Sequence, residues 1–250
     1  MSPSTVAIVT GASRGLGHAL ALGLLSPDTL LVTVSRHPNP DLAAQAAKSG
    51  CTLQQHQADL ADPLVAQQLA TQIMENLPIS ATRYLLINNA GTVSPVGLGS
   101  GLNSAAAIGA ALSLNLTSVM LLTAAFLTYV PARGTDRRIL NISSGAGRSA
   151  TPGWGVYCAT KAALDRYSQV IAAEHHSVRI VSIAPGVINT TMQAQIRASD
   201  PIQFPGRPRF IDLHAQGQLT SPKTVAAQLL HYVERDDFGT TVLDDIRNYA

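Results

Sequence analysis

A doubly wound α/β fold, one mostly parallel seven-stranded sheet with helices on both faces, is predicted by three features of this sequence. Short apolar runs alternate with helix-like segments from end to end, the order of a parallel sheet whose crossovers cover both faces. A glycine-rich turn, TGASRGLG at residues 10–17, joins the first apolar run to the first helical one. No repeat, linker or change of composition divides the 250 residues, which fits one domain over 1–250.

In order along the chain, TVAIVT at 5–10 reads as the first strand and 16–25 as the helix after it. Strand two lies at 30–34, followed by a helix near 41–49. Strands at 52–56 and 84–88 flank a helix at 63–76. A long helix, about 104–129, leads to a strand at 138–143 and then to a helix at 156–174. Strand six spans 178–184, the last helix 222–234, and a short strand lies near 241–244. The most membrane-like run, 114–130, is too short to span a bilayer and contains Asn115, so it reads as a buried helix. Two stretches are irregular: 92–103, rich in glycine, and 199–213, with prolines at 201, 205 and 208. The second is a candidate lid over a substrate, or else a plain surface loop.

Composition narrows the field. With 46% apolar and 13% charged residues the chain can bury a sizeable core. A formal charge of +2 gives no reason to expect a nucleic-acid or membrane partner. Two cysteines, Cys51 and Cys158, make no disulfide framework and no metal-ligand spacing, which points to a reducing cytoplasm. The strand pattern begins at residue 5, leaving no room for a signal peptide. The seven histidines show no ligand pattern, so no metal is expected.

Chemistry concentrates in residues 141–161, NISSGAGRSATPGWGVYCATK. Tyr157 and Lys161 stand four apart on the predicted helix and share one face. A free phenol has a pKa of about 10, and an ammonium beside it favours the phenolate. Ser144 follows an apolar run and so falls at the carboxyl end of a strand, where open α/β sheets bind ligands. A hydroxyl donor, a proton-active tyrosine and a cation around one pocket suit a carbonyl oxygen becoming an alkoxide. A Tyr-x-x-x-Lys pair alone is weak, because such pairs also arise on exposed helix faces. The glycines of 10–17 let backbone approach a pyrophosphate at a helix amino end. Their spacing, G-x-x-x-G-x-G, differs from the G-x-G-x-x-G fingerprint. Ser35-Arg36 follows strand two with no carboxylate before Asp41, and Arg14 lies in the turn. Arginine there suits a ribose 2′-phosphate, so NADP(H) is expected.

Together these motifs resemble the short-chain dehydrogenase/reductase family over nearly the whole chain, and hence its Rossmann-type fold. The likeness rests on TGASRGLG, Asp59-Leu60, Asn88-Asn89-Ala90-Gly91, Asn115, Ser143-Ser144, YCATK and Pro185-Gly186-Val-Ile188-Asn-Thr190. It implies a catalytic set of Asn115, Ser144, Tyr157 and Lys161, with Asn115 holding a water that relays protons to the lysine. Gly11, Ser13, Arg14, Gly15, Leu16 and Gly17 would form the phosphate turn, with Ser35 and Arg36 at the 2′ position. Asp59, beside Leu60, would bond the adenine amino group, and Asn89, Ala90 and Gly91 would line the adenosine side. In the Pro185-Gly186 segment, Ile188 would meet the nicotinamide carboxamide and Thr190 the pyrophosphate. Tyr157 and Lys161 would also touch the nicotinamide ribose. The long helix and the Tyr157 helix would pair with a second subunit in a homodimer or homotetramer.

Within the family the likeness is strongest to sepiapterin reductases and to microbial relatives that reduce benzil and similar diketones. It is carried by LLINNAG, LNLTS, GWGVYCATKAA, APGVINTTMQ and GQLTSPKTVA. It implies an NADPH-dependent reductase of a small-molecule ketone or diketone. Asp244, with Asp245 as fallback, would hold a pterin, and Trp154 and Met192 would flank the pocket or serve as packing. Other alcohols or ketones remain alternatives within the family. Two remoter readings are a serine hydrolase and an NADP-binding protein without chemistry. The first rests on Gly11-Ala-Ser13-Arg-Gly15 with Asp212 and His214, but it has no earlier strand and loop to supply an oxyanion donor.

Overall fold

The structure, a computed structural model, describes residues 3–249. Among these residues, seven strands alternate with eight α-helices. The order is β1 (Thr5–Thr10), α1 (Gly15–Gly23), β2 (Thr29–Ser35), α2 (Pro40–Ser49), β3 (Thr52–Gln57), α3 (Pro63–Glu75) and β4 (Arg83–Asn88). Then come α4 (Ala105–Tyr129), β5 (Asp136–Ile142), α5 (Gly155–Glu174) and β6 (Arg179–Ala184). The chain closes with α6 (Thr191–Arg197), α7 (Arg207–Ala215), α8 (Pro222–Glu234) and β7 (Leu243–Asp245). The strands form one sheet in the order β3-β2-β1-β4-β5-β6-β7, and every pairing is parallel. Between β1 and β4 the winding reverses, opening a crevice at the carboxyl ends of the strands.

Burial explains why the inner strands carry unbroken apolar runs. β1, β2, β4 and β6 are covered on both faces, so both sets of alternate side chains must be apolar. One core cluster lies between the sheet and α1 and α8, through Val9, Leu20, Leu31, Ile183 and Leu229. A second lies against α3, α4 and the end of α5, through Ile8, Val32, Ile73, Phe126 and Ile171, and a third, smaller one gathers around Trp154 and Tyr157. Helix starts are set locally. Asn39, Asp62, Ser104 and Ser221 each accept a backbone N–H of the first turn, and proline opens α2, α3 and α8.

Three sequence expectations need correction. The long helix is not buried all round: it is apolar and long enough to cross a membrane by length and composition, yet only 28% of its most apolar window is buried. One face, with Leu122 and Phe126, packs inward, while Leu112, Met120 and Tyr129 face outward. A π-helical turn at Ser113–Thr117 interrupts it and carries the buried Asn115. Residues 199–213 are not irregular throughout, since α7 occupies much of the stretch and α6 precedes it. Pro208 sits in the first turn of α7, where a missing N–H breaks no helical bond, so here proline starts a helix.

The third correction concerns Asp244. It pairs in register with Ile183, whose side chain belongs to the α1–α8 core, on the opposite face of the sheet from α5. There it is buried, and its oxygens accept bonds from Tyr249 Oη (2.6 Å), Tyr232 Oη (3.0 Å), Asn248 Nδ2 (3.1 Å) and the Asp245 amide (2.8 Å). Four donors leave no acceptor for a pterin. Asp245, the fallback, is held by Arg247 at 2.6 and 2.8 Å. Burial pushes the Asp244 carboxyl up, but the hydrogen bonds led by Tyr249 outweigh it and hold the group below its ordinary 3.8. A depressed carboxyl stabilises the fold above the unfolded-state value, and that contribution fades as pH falls through the folded-state one. Asp244→Asn is therefore expected to lower stability by about 2 kcal/mol at neutral pH, with the gap from wild type closing below pH 3.8. Denaturant midpoints measured across that range check the sign.

Candidate active site

The site is built at the carboxyl ends of β1, β4, β5 and β6. After β1 the chain turns sharply into α1, and Gly17 shows how tightly. A Cβ on Gly17 would fall 2.2 Å from the Gly11 carbonyl oxygen and 2.4 Å from Asn89 Nδ2. Asn89 Nδ2 donates to the Thr10 carbonyl at 2.9 Å, and the Asn89 and Ala90 amides both donate to Thr10 Oγ1 at 3.0 Å. The turn over residues 11–17 is thereby fixed against β4. Thr190 approaches it from the far side, 3.4 Å from where a Gly15 Cβ would stand. Asn39 Nδ2 donates to the Ser13 carbonyl at 3.0 Å and ties the turn to α2, and Leu16 is buried beneath it.

Arg14 and Arg36 are exposed, and neither makes an ion pair among the described residues. Ser35 Oγ donates to the His37 carbonyl at 2.7 Å. Exposed Asp59 uses one oxygen to accept the Ala61 amide at 3.0 Å, while Leu60 is buried. On the other side of the crevice, Pro185 and Gly186 follow β6, and buried Ile188 bridges in parallel to Thr220.

Tyr157 and Lys161 lie on the first two turns of α5, both buried. Lys161 Nζ donates to the Ile142 carbonyl at 2.7 Å and lies 5.9 Å from the centre of the Tyr157 ring. Ser144 leaves β5 in extended conformation, and its Oγ accepts the Ala146 amide at 3.2 Å. Asn115 Oδ1 accepts the Thr92 amide at 2.8 Å, and its Nδ2 donates to the Thr92 carbonyl (2.8 Å) and to Thr160 Oγ1 (3.1 Å). A Cβ on Gly91 would lie 3.3 Å from Asn115 Oδ1 and 3.8 Å from Lys161 Nζ, so these three residues meet at one point. Sequence reasoning expected the lysine to make the phenol acidic. Burial is instead the largest influence on Tyr157 and raises its pKa, while a hydrogen bond with Ser144 lowers it. Burial also brings Lys161 down to about 8, with Asp165 opposing.

Beside Tyr157 stands an aromatic wall. Trp154 meets Tyr157 edge-on at 5.5 Å and stacks on Phe204 at 4.9 Å, and Phe210 follows at 5.3 Å. Met192 packs against the same cluster. Phe204 and Phe210 were not singled out from sequence. Their signal was two aromatics six apart in the proline-rich stretch, in a chain with only four phenylalanines. The residues needed for a hydrolase do not assemble: Asp212 and His214 are both exposed on α7, two positions apart.

A glycine turn at the first β–α junction and a buried Tyr–Lys pair at the end of β5 define an oxidoreductase that works on CH–OH and C=O groups with a bound nucleotide. The short chain dehydrogenase family model matches residues 5–201, and the chain belongs to that family, whose members bind NAD(P). It is 37% identical over 238 residues to a benzil reductase ((S)-benzoin forming) of Bacillus cereus, covering 92% of this chain and 94% of that one. It is 38% identical over 245 residues to the sepiapterin reductase of Rattus norvegicus, covering 93% and 92%. A crystal structure of a short-chain dehydrogenase/reductase from Burkholderia vietnamiensis superposes with a TM-score of 0.69 at 34% identity, covering both chains fully (100% each). Because the turn leaves no space at residue 17, Gly17→Ala is expected to weaken NAD(P)H binding at least tenfold (about 1.4 kcal/mol) and to lower the melting temperature. Nucleotide fluorescence titration and thermal unfolding check both.

Proposed function

We infer that the protein is an NADPH-dependent carbonyl reductase acting on an aryl ketone or diketone. The observation that carries this reading is the convergence of Ser144, Tyr157, Lys161 and Asn115 at the edge of β5, across the crevice from the glycine turn. When bound, a dihydronicotinamide would supply the hydride that reduces the carbonyl carbon. Ser144 donates a hydrogen bond to the carbonyl oxygen, which gathers negative charge as the carbon is reduced. Tyr157 gives that oxygen its proton, and the alcohol leaves. A phenol whose pKa is raised by burial is fully protonated at neutral pH, which suits a proton donor in the reductive direction. The Lys161 ammonium steadies the phenolate left behind until it regains a proton from solvent, and would bond the nicotinamide ribose, while Asn115 steadies the Thr92 backbone beside the lysine.

The nucleotide would be held by the turn from Gly11 to Gly17, by Asp59 and Asn89 to Gly91 on the adenosine side, and by Ile188 and Thr190 at the nicotinamide and pyrophosphate. Arg14 and Arg36, both exposed and without an ion pair among the described residues, suit the 2′-phosphate of NADP(H). Partly exposed Met192 and the edges of Trp154 and Phe210 offer apolar contact for an aryl substituent, backed by the wholly buried Phe204, with residues 199–213 serving as the substrate lid. The names of the relatives, benzil reductase and sepiapterin reductase, support a carbonyl substrate. The occupied carboxylate of Asp244 favours a diketone over a pterin. We read the chain as a single catalytic domain that forms a homodimer or homotetramer through the outward apolar faces of α4 and α5, where Leu112, Met120, Tyr129 and Val170 lie. Free Cys51 and Cys158 suit a reducing cytoplasm.

Two variants test the reading. Tyr157→Phe is expected to lower the NADPH-dependent rate with benzil by three orders of magnitude or more, about 4 kcal/mol, while leaving NADPH affinity within twofold. Wild-type turnover in that variant removes Tyr157 as proton donor. Arg36→Asp is expected to shift the kcat/KM ratio of NADPH over NADH by about a hundredfold toward NADH, a loss of about 3 kcal/mol. An unchanged ratio refutes the 2′-phosphate assignment.

A further inference from the structure

One helical turn beyond Lys161, α5 buries a carboxylate that the reaction above does not use. Asp165 is 4% exposed. One of its oxygens accepts Ser143 Oγ at 2.6 Å and Ser182 Oγ at 2.7 Å, and the other accepts Arg148 Nε at 3.0 Å. Arg148 continues outward, donating to the backbone carbonyls of Ser182 (3.0 Å) and Asp244 (2.8 Å). The ends of β5, β6 and β7 thus meet α5 on a single ion pair. Stability gives a poor account of such a pair, because well-packed apolar residues of similar volume stabilise a core as well or better.

Its neighbours give a better account. Ser143 immediately precedes Ser144, so the hydroxyl held by Asp165 fixes the peptide from which the carbonyl donor projects. A second contact presses the same segment onto α5: a Cβ on Gly147 would lie 2.8 Å from the Lys161 carbonyl carbon, and glycine alone allows that approach. We propose that Asp165, with Arg148, is a positioning residue that anchors Ser143 and Ser144 to α5, so that the Ser144 hydroxyl and the Tyr157 phenol converge on one oxygen. The same carboxylate opposes the burial that draws Lys161 down to about 8. Removing its charge favours the neutral amine and brings the loss of the lysine's charge to lower pH. The assignment rests on the reductase reading.

The test compares wild type, Tyr157→Phe, Asp165→Asn and Ser143→Ala in benzil reduction with NADPH from neutral to alkaline pH, well below the melting temperature of each. Asp165→Asn is expected to lose about tenfold in kcat with NADPH affinity unchanged, and its activity should fall off at lower pH than wild type. Ser143→Ala should lose kcat severalfold with the alkaline limb unmoved. If both fold, melt lower, and keep the wild-type kcat and alkaline limb, the network is structural only and the proposal is overturned. If Asp165→Asn does not fold, Ser143→Ala decides, and a wild-type kcat there is equally fatal. A wild type that does not reduce benzil overturns the aryl-carbonyl reading, and the positioning role with it. A wild type stopped by Tyr157→Phe but matched by Asp165→Asn overturns the positioning role alone.

Discussion

The bond from Lys161 Nζ to the Ile142 carbonyl is the constraint on which the active site depends. Helix α5 starts at the carboxyl end of the sheet and runs down its face, and nothing in helix geometry alone sets how far along it slides. A buried ammonium without partners is strongly unfavourable, so the lysine must find its acceptor where β5 runs out. That acceptor sets the depth of α5. Tyr157, one turn earlier, then reaches the height of Ser144, and Asn115 meets the lysine beside Gly91. The π turn in α4 belongs to the same arrangement, since it brings the Asn115 amide onto the Thr92 backbone.

Two kinds of glue hold the crevice open for a nucleotide. On the nucleotide side it is close backbone contact, with Gly17 against the Gly11 carbonyl and Thr10 Oγ1 bridging to β4. On the catalytic side it is buried polar bonding, from Asp165 outward through Arg148 to β6 and β7. Neither uses the hydrophobic core, which lies below on the two faces of the sheet. The core fixes the platform, and the polar contacts at its upper rim fix the chemistry.

Much of this was legible in the sequence. Strands buried on both faces write unbroken apolar runs, so β1, β2, β4 and β6 were recognisable to within a residue or two at each end. A tyrosine and a lysine one helical turn apart, with glycines closing the first turn, were placed at the carboxyl edge of the sheet by steric rules that act locally. What was not legible depends on partners distant in the chain. Asp244 looked like a substrate ligand at a strand end, but register with Ile183 turns it to the opposite face and gives it to Tyr232 and Tyr249. Prolines in 199–213 looked like breakers, although Pro208 opens a helix and its neighbours Phe204 and Phe210 reach back to Trp154. The state of the Tyr157 phenol could not be read from spacing either, because the influence that dominates it is burial by residues far along the chain.

The margins of the sheet carry a consequence of their own. β3, on one border, is TLQQHQ, with glutamines at alternate and adjacent positions and partial exposure along its length. β7, on the other border, is only three residues long. Because strand addition pairs backbone with backbone, the three-residue β7 offers an incoming strand almost nothing to pair with, whereas the six-residue β3 keeps an outer row of N–H and C=O groups that its glutamines do not block.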